Sequence, residues 1–327
     1  MEQKKSEPDY SVKGHYNPVK AVANGWPIRL SKSSFMTYLM CPRKYWWQNV
    51  ELEGIRTPPN EAMIHGSAVH KSLENLYATL ELPLCEENKS HLTGDLRTLF
   101  DIDPDDRTHE PYVHEAVDSL ASLEEARLRK WGIEAFMPTE FEVKHEYRTT
   151  VEWENEDGTT GSYPVILVGK IDGVLKHPET GDLTLIELKT GALNPSKQTR
   201  TRKELAYYAF MLESMGRGKT SHFMYLYPEC TNEKIVHDLL NKEAKGKIEV
   251  WLNDIQGIGY IEPFGKRTQN AFMKSLAKVV RGLATMDWKM NWSDWFCNNY
   301  CEFNMACETE IMEAGWNLEE YVGEQYG

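Results

Sequence analysis

Residues 163–191, YPVILVGKIDGVLKHPETGDLTLIELKTG, read as two strands joined by a turn. Residues 165–175 are rich in β-branched side chains, and residues 183–190 form a second, short, mostly apolar run. Between them, His177-Pro178-Glu179-Thr180-Gly181-Asp182 carries the proline and glycine that break a strand. Charges interrupt this apolar pattern, and three of them fall in a telling arrangement. Glu187 and Lys189 are two residues apart and so share one face of the second strand. Asp172 precedes Glu187 by fifteen residues (187 − 172 = 15), and a hairpin of this length sets the two side by side. Adjacent carboxylates repel unless a cation lies between them. Oxygen donors in that arrangement suit Mg²⁺ or Mn²⁺. A neighbouring lysine then offsets negative charge in a transition state or orients a water. Taken alone, the stretch equally fits an edge strand whose Glu–Lys pair faces solvent.

The chain has 327 residues, 41% hydrophobic and 27% charged, which is ordinary for a globular protein with an ample core. No apolar run approaches the ~18 residues of a membrane helix. The first residues lack the apolar centre of a signal peptide. The expected setting is therefore the cytoplasm, with no membrane partner. A formal net charge of −13 argues against a nucleic-acid coat protein, which would be basic overall. It leaves a nuclease open, since what counts there is the local potential at the cleft.

Residues 1–30 read as a polar tail containing Pro8, Pro18 and Pro27. A serine among Ser31, Ser33 and Ser34 caps a helix that runs to Met40 and meets Cys41-Pro42. The spacing of Ile64, Ala68, Leu76 and Leu80 predicts a helix over residues 60–80. His70 and Glu74 lie on one face of it, with Gly66 one turn earlier. Alone, His70 is more readily a partly buried helix histidine than a ligand. Residues 81–110 are polar and broken by Pro83, Gly94 and Pro104, and residues 110–131 form a helix; together they read as an insertion. Residues 140–153 alternate as a strand. A helix over residues 196–215 starts with Lys197, Arg200, Arg202 and Lys203, and residues 221–227 and 234–240 are expected strands. In residues 266–281, Lys274, Lys278 and Arg281 stand opposite the apolar face of Phe272, Leu276 and Val279. This stripe is a candidate phosphate track, or else a solvated helix face. The pattern as a whole is α/β, a mixed central sheet flanked by helices.

Three of the six cysteines, Cys297, Cys301 and Cys307, crowd into eleven residues. In a cytoplasmic chain this reads as metal or cluster ligation. Cys41 is the best fourth ligand, beside Pro42 at the end of a helix; Cys85 and Cys230 read as ordinary free thiols. Four thiolates suit a [4Fe–4S] cluster or a structural Zn²⁺, and would join the N- and C-terminal parts of the chain.

In order, SKSSFMTYLMCPRKY, GSAVHKSLE, GKIDG, LIELK and the cysteine triplet resemble the PD-(D/E)XK nuclease superfamily. Within it the chain looks like the RecB-like exonucleases with an iron–sulfur clasp, including the CRISPR-adaptation nucleases and the helicase-fused nucleases. The resemblance covers about residues 30–307. It implies a restriction-endonuclease-like core over residues 31–310, an insertion at about 81–131 and an acidic C-terminal tail at 311–327. It implies that His70, Asp172, Glu187 and the Leu188 carbonyl hold Mg²⁺ or Mn²⁺, that Lys189 is catalytic, and that Glu74 and Tyr208 support the site. Lys197, Arg200, Arg202, Lys203, Lys274, Lys278 and Arg281 are then the DNA-binding cations. The family's glutamine four residues before that tyrosine is here Glu204, an extra carboxylate, and its first cysteine spacer is one residue longer. The implied activity is a DNA exonuclease on single-stranded ends, 5′ to 3′, in recombination, repair or phage DNA processing, with a possible helicase or recombination partner. The alternative is a non-catalytic DNA-end-binding subunit of a helicase–nuclease or spacer-integration complex.

Overall fold

A computed structural model of the chain describes residues 16–52, 58–79 and 111–316. Cys85, residues 1–15 of the expected tail, residues 81–110 of the expected insertion and residues 317–327 lie outside the described residues. The elements before the sheet's main body are α1 (Pro18–Ala23), β1 (Ile28–Ser31), α2 (Lys32–Met40), α3 (Pro42–Trp46), α4 (Glu61–Thr79), α5 (Pro111–Trp131) and α6 (Ile133–Phe136). Then follow β2 (Glu140–Glu154), β3 (Thr160–Lys176), β4 (Leu183–Leu188), α7 (Pro195–Ser214), β5 (Thr220–Tyr227), α8 (Glu233–Glu243), β6 (Glu249–Leu252) and β7 (Ile258–Pro263). The last described elements are α9 (Lys266–Ala284), α10 (Asp294–Tyr300) and α11 (Asn304–Glu313). The sheet has seven strands in the order β1-β3-β4-β5-β7-β6, with β2 also pairing β3. It is mixed: β1 with β3 and β4 with β5 are parallel, whereas β3–β4, β5–β7 and β6–β7 are antiparallel. This is the expected mixed α/β sheet flanked by helices. No helix among the described residues is long and apolar enough to cross a membrane.

The chain divides into two compact units, residues 1–57, 148–168 and 273–327 in one, residues 58–147 and 169–272 in the other. In the first unit, residues 16–30 of the expected polar tail hold α1 and most of β1. β1 pairs in register with Val165–Val168 of β3. Ser31 Oγ accepts the Ser34 N–H at 3.1 Å and so caps α2. In the second unit, β4, between β3 and β5 in the sheet, is buried on both faces, as a strand of a sheet covered by helices is. α4 buries Val69, Leu73, Leu76 and Tyr77, a helical stripe, against Val113, Val117 and Leu120 of α5 and against Ile186, Leu188, Met224 and Leu226 of the sheet.

Two local expectations change. Residues 234–240, expected as a strand, lie in α8. Asn232 caps this helix, and Ile235 and Leu239, four apart, are its buried face. The strands that complete the sheet are instead β6 and β7, a hairpin in which Trp251 lies against Gly259, where a Cβ would stand 2.1 Å from the indole.

Candidate metal centre

The second unit gathers a set of polar side chains from five of its elements. α4 presents His70 beside its buried stripe. β3 carries Lys170 and Asp172, two apart and so on one face. Gly173 pairs with Ile186, so the next step of that register sets Asp172 opposite Glu187, as the hairpin reading requires. Lys189 follows β4, and its N–H still bonds the Leu226 carbonyl of β5 at 2.9 Å. α7 contributes Glu204 and Tyr208.

The ligand-type atoms that converge are those of His70, Glu142 and Asp172, all within 4.8 Å of one another, the only such trio among the described residues. His70 Nδ1 stands 3.5 Å from Glu142 Oε1 and 3.7 Å from Asp172 Oδ1. Asp172 is oriented by the Leu188 N–H, which donates to Oδ2 at 2.9 Å. Burial pushes the His70 imidazole toward lower pKa, but the surrounding carboxylates of Asp172, Glu142 and Glu187 outweigh it and hold it above its ordinary value. Glu142, despite burial, is held below the ordinary carboxylate range by His70 and Lys170. One imidazole and two carboxylates from three elements match the donor set of a hard divalent cation.

Glu142 is the residue that sequence reasoning missed. It lies in the predicted strand, among Glu140, Lys144 and Glu146, where an alternating charge reads as a solvent face. Its backbone has φ 51°, the left-handed region that a non-glycine side chain rarely adopts. Such a conformation costs on the order of 1–3 kcal/mol and is characteristic of functional sites. Nothing in the residue pattern announces it.

Glu187 is only 1% exposed and is held by Lys189. Lys189 Nζ also lies 3.0 Å from Glu204 Oε2, and Arg200 Nε donates to Glu204 Oε1 at 3.1 Å. The extra carboxylate at the family's glutamine position is thus offset by two cations. Glu187 stands outside the close trio, although its charge reaches His70. Glu74 pairs with Lys71 at 3.1 Å and is also outside the trio. Tyr208 donates its hydroxyl to the Lys170 carbonyl at 2.6 Å, fixing β3 at the site. Gly169 makes that contact possible: a Cβ there would stand 2.3 Å from Tyr208 Cε1. Gly169→Ala is expected to displace the ring and destabilise by about 1–3 kcal/mol, read as a lowered Tm.

The expected DNA-binding cations divide. Lys197 Nζ donates to the carbonyls of Thr190 and Gly191, and Arg202 makes a two-pronged pair with Glu262 at 2.7 Å for each nitrogen. Lys203 is exposed on α7. In the first unit, Lys274 and Lys278 are exposed and Arg281 half-buried along α9.

The first unit also holds Cys41, Cys297, Cys301 and Cys307 around one cavity of about 420 Å³, with Lys44, Trp292 and Phe303 among its other walls. Cys230 is a buried thiol of the second unit. Backbone N–H groups of Asn291 and Ser293 point at the sulfurs of Cys41 and Cys297, at 3.5 and 3.4 Å. Burial pushes the Cys301 thiol up and the Cys307 thiol up to about 12. No three of these sulfurs come within 4.8 Å of one another. Tetrahedral zinc, at a Zn–S distance of ~2.3 Å, would bring them to about 3.8 Å.

A family model described as the PD-(D/E)XK nuclease superfamily matches residues 29–308. No curated protein matches the chain.

Proposed function

The chain belongs to the PD-(D/E)XK nuclease superfamily, and on that premise we propose that it is a Mg²⁺- or Mn²⁺-dependent DNA exonuclease acting on single-stranded ends, 5′ to 3′, in DNA processing such as recombination or repair. The observation that carries this reading is the convergence of His70, Glu142 and Asp172 beside the Glu187–Lys189 pair. His70, Glu142 and Asp172 would hold the ion, with Glu187 next to them. The bound ion supplies Lewis acidity toward the scissile phosphate and the attacking water. The chain's own residues do the rest. The Leu188 N–H fixes which Asp172 oxygen faces the imidazole. Glu187 and Glu204 hold the Lys189 ammonium in place, where it offsets the charge that develops on the phosphate or orients the water. Contacts of this kind read phosphate and not base, so no sequence preference is expected. The test is 5′-labelled single-stranded DNA with Mn²⁺: labelled mononucleotide as first product supports the reading. Cleavage of circular single strands overturns the exonuclease mode, and no cleavage of any DNA overturns the reading itself.

For the cysteine cavity the favoured group is a [4Fe–4S] cluster, since the sulfurs stand wider than one zinc ion asks and the space between them is open. Cys41, Cys297, Cys301 and Cys307 would be its ligands. The purified protein is expected to be brown, with iron and sulfide bound. Cys297→Ser is expected to lose the visible absorbance and to unfold at lower temperature, because metal-site formation is coupled to folding. A colourless protein containing zinc overturns the iron assignment.

A further inference from the structure

We propose that Lys170 is a substrate-binding residue of this site, its ammonium taking a phosphodiester oxygen of the single strand next to the trio of His70, Glu142 and Asp172. The inference rests on the nuclease reading and adds a residue to it. Lys170 shares the β3 face of Asp172, two residues away. Its ammonium pairs with Glu142 Oε2, while the other oxygen of that carboxylate faces His70. The cation thus stands one carboxylate away from the place where the scissile phosphate must come.

Three neighbouring cations are held by other groups: Lys189 lies between Glu187 and Glu204, Lys197 caps the carbonyls after β4, and Arg202 is on Glu262. Arg200, 59% exposed, pairs with Glu204 on its own helix, whereas Lys170 pairs with a carboxylate of the trio. Lys170 has a side chain 56% exposed. The Glu142 end of the pair is only 14% exposed, but the lysine end is open to water, and there a phosphate competes for the ammonium. Its backbone, by contrast, is fixed, because Tyr208 donates to the Lys170 carbonyl. A fixed stem with a solvated head is what a phosphate ligand next to a rigid site needs. Glu142 has one oxygen for each task, so holding a cation with the first does not stop it from guiding Lys170 with the second.

The test compares Lys170→Gln and Lys170→Arg with wild type. Binding of a fluorescent single-stranded oligonucleotide is measured by anisotropy in Ca²⁺ over a range of salt, hydrolysis in Mn²⁺, and the Tm with and without Mn²⁺. Lys170→Gln is expected to raise both Kd and KM about tenfold and to make the slope of log K against log salt shallower by about 0.7, the loss of one phosphate contact. Lys170→Arg is expected to stay near wild type, and the Mn²⁺-induced rise in Tm is expected to persist in both. Wild-type Kd and salt slope in Lys170→Gln would overturn the proposal. So would loss of its Mn²⁺ response, which would make the residue a support for Glu142. A wild-type protein that binds the oligonucleotide but hydrolyses nothing sinks the nuclease reading alone, with Lys170 still judged by its salt slope.

Discussion

Glu187→Gln is expected to slow DNA hydrolysis by about three orders of magnitude or more, roughly 4 kcal/mol of lost transition-state stabilisation. Glutamine has the size and shape of glutamate, so the 1% exposed site stays filled and the fold is preserved. What is lost is one negative charge beside His70 and Asp172, and the anchor of Lys189. Lys189 would then lean on Glu204 alone, 3.0 Å away, and leave the position from which it acts on the phosphate. Binding should move the other way. Removing a carboxylate next to a polyanion is expected to leave oligonucleotide affinity unchanged or raise it. The measurement is single-turnover release of 5′ label in Mn²⁺ together with anisotropy on the same oligonucleotide. Hydrolysis at the wild-type rate would mean that the reacting centre is not at this hairpin.

The hairpin was the most legible part of the sequence, because alternation and turn chemistry are local. A period of two puts Asp172 and Glu187 on one face once the turn is placed, and the Gly173–Ile186 register does so. The gathering of four cysteines around one cavity was also readable, since three of them are neighbours in sequence. Glu142 was not readable. Its backbone adopts a left-handed φ that no pattern predicts, and the residues around it offer only alternating charge. The basic start of α7 is only half legible for a related reason: composition shows cations but not their partners. Lys197 and Arg202 are engaged with carbonyls and with Glu262, while Lys170, on the β3 face of Asp172, pairs with Glu142 and keeps a side chain 56% exposed. Residues 234–240 failed as a strand because a seven-residue apolar mixture fits both periods. The Asn232 cap decides for helix.

Arg127→Met is expected to destabilise the protein by about 3–5 kcal/mol, the cost of leaving one member of a buried ion pair alone. Arg127 and Glu124 both have side chains with 0% exposure. The guanidinium gives Nη2 to Glu124 Oε2 at 2.6 Å, Nη1 to the Phe136 carbonyl at 2.9 Å and a further N–H to the Tyr77 hydroxyl at 3.0 Å. Tyr77 in turn donates to Glu124 at 2.7 Å, and the cation lies 4.1 Å from the centre of the Phe136 ring. Tyr77 is on α4, the helix that carries His70, while Glu124 and Arg127 are on α5. The network therefore fixes the helix on which the imidazole of the metal site is mounted. Methionine fills much of the arginine volume but strands a buried carboxylate, and the Tm should fall by roughly 6–20 °C. Removing both charges, Arg127→Met with Glu124→Leu, should recover most of that loss, since no uncompensated charge remains. The double variant should nevertheless hold Mn²⁺ more weakly than wild type if the hydrogen bonds to Tyr77 set the pose of α4. A double variant as unstable as Arg127→Met would mean that packing volume, and not the stranded carboxylate, accounts for the loss.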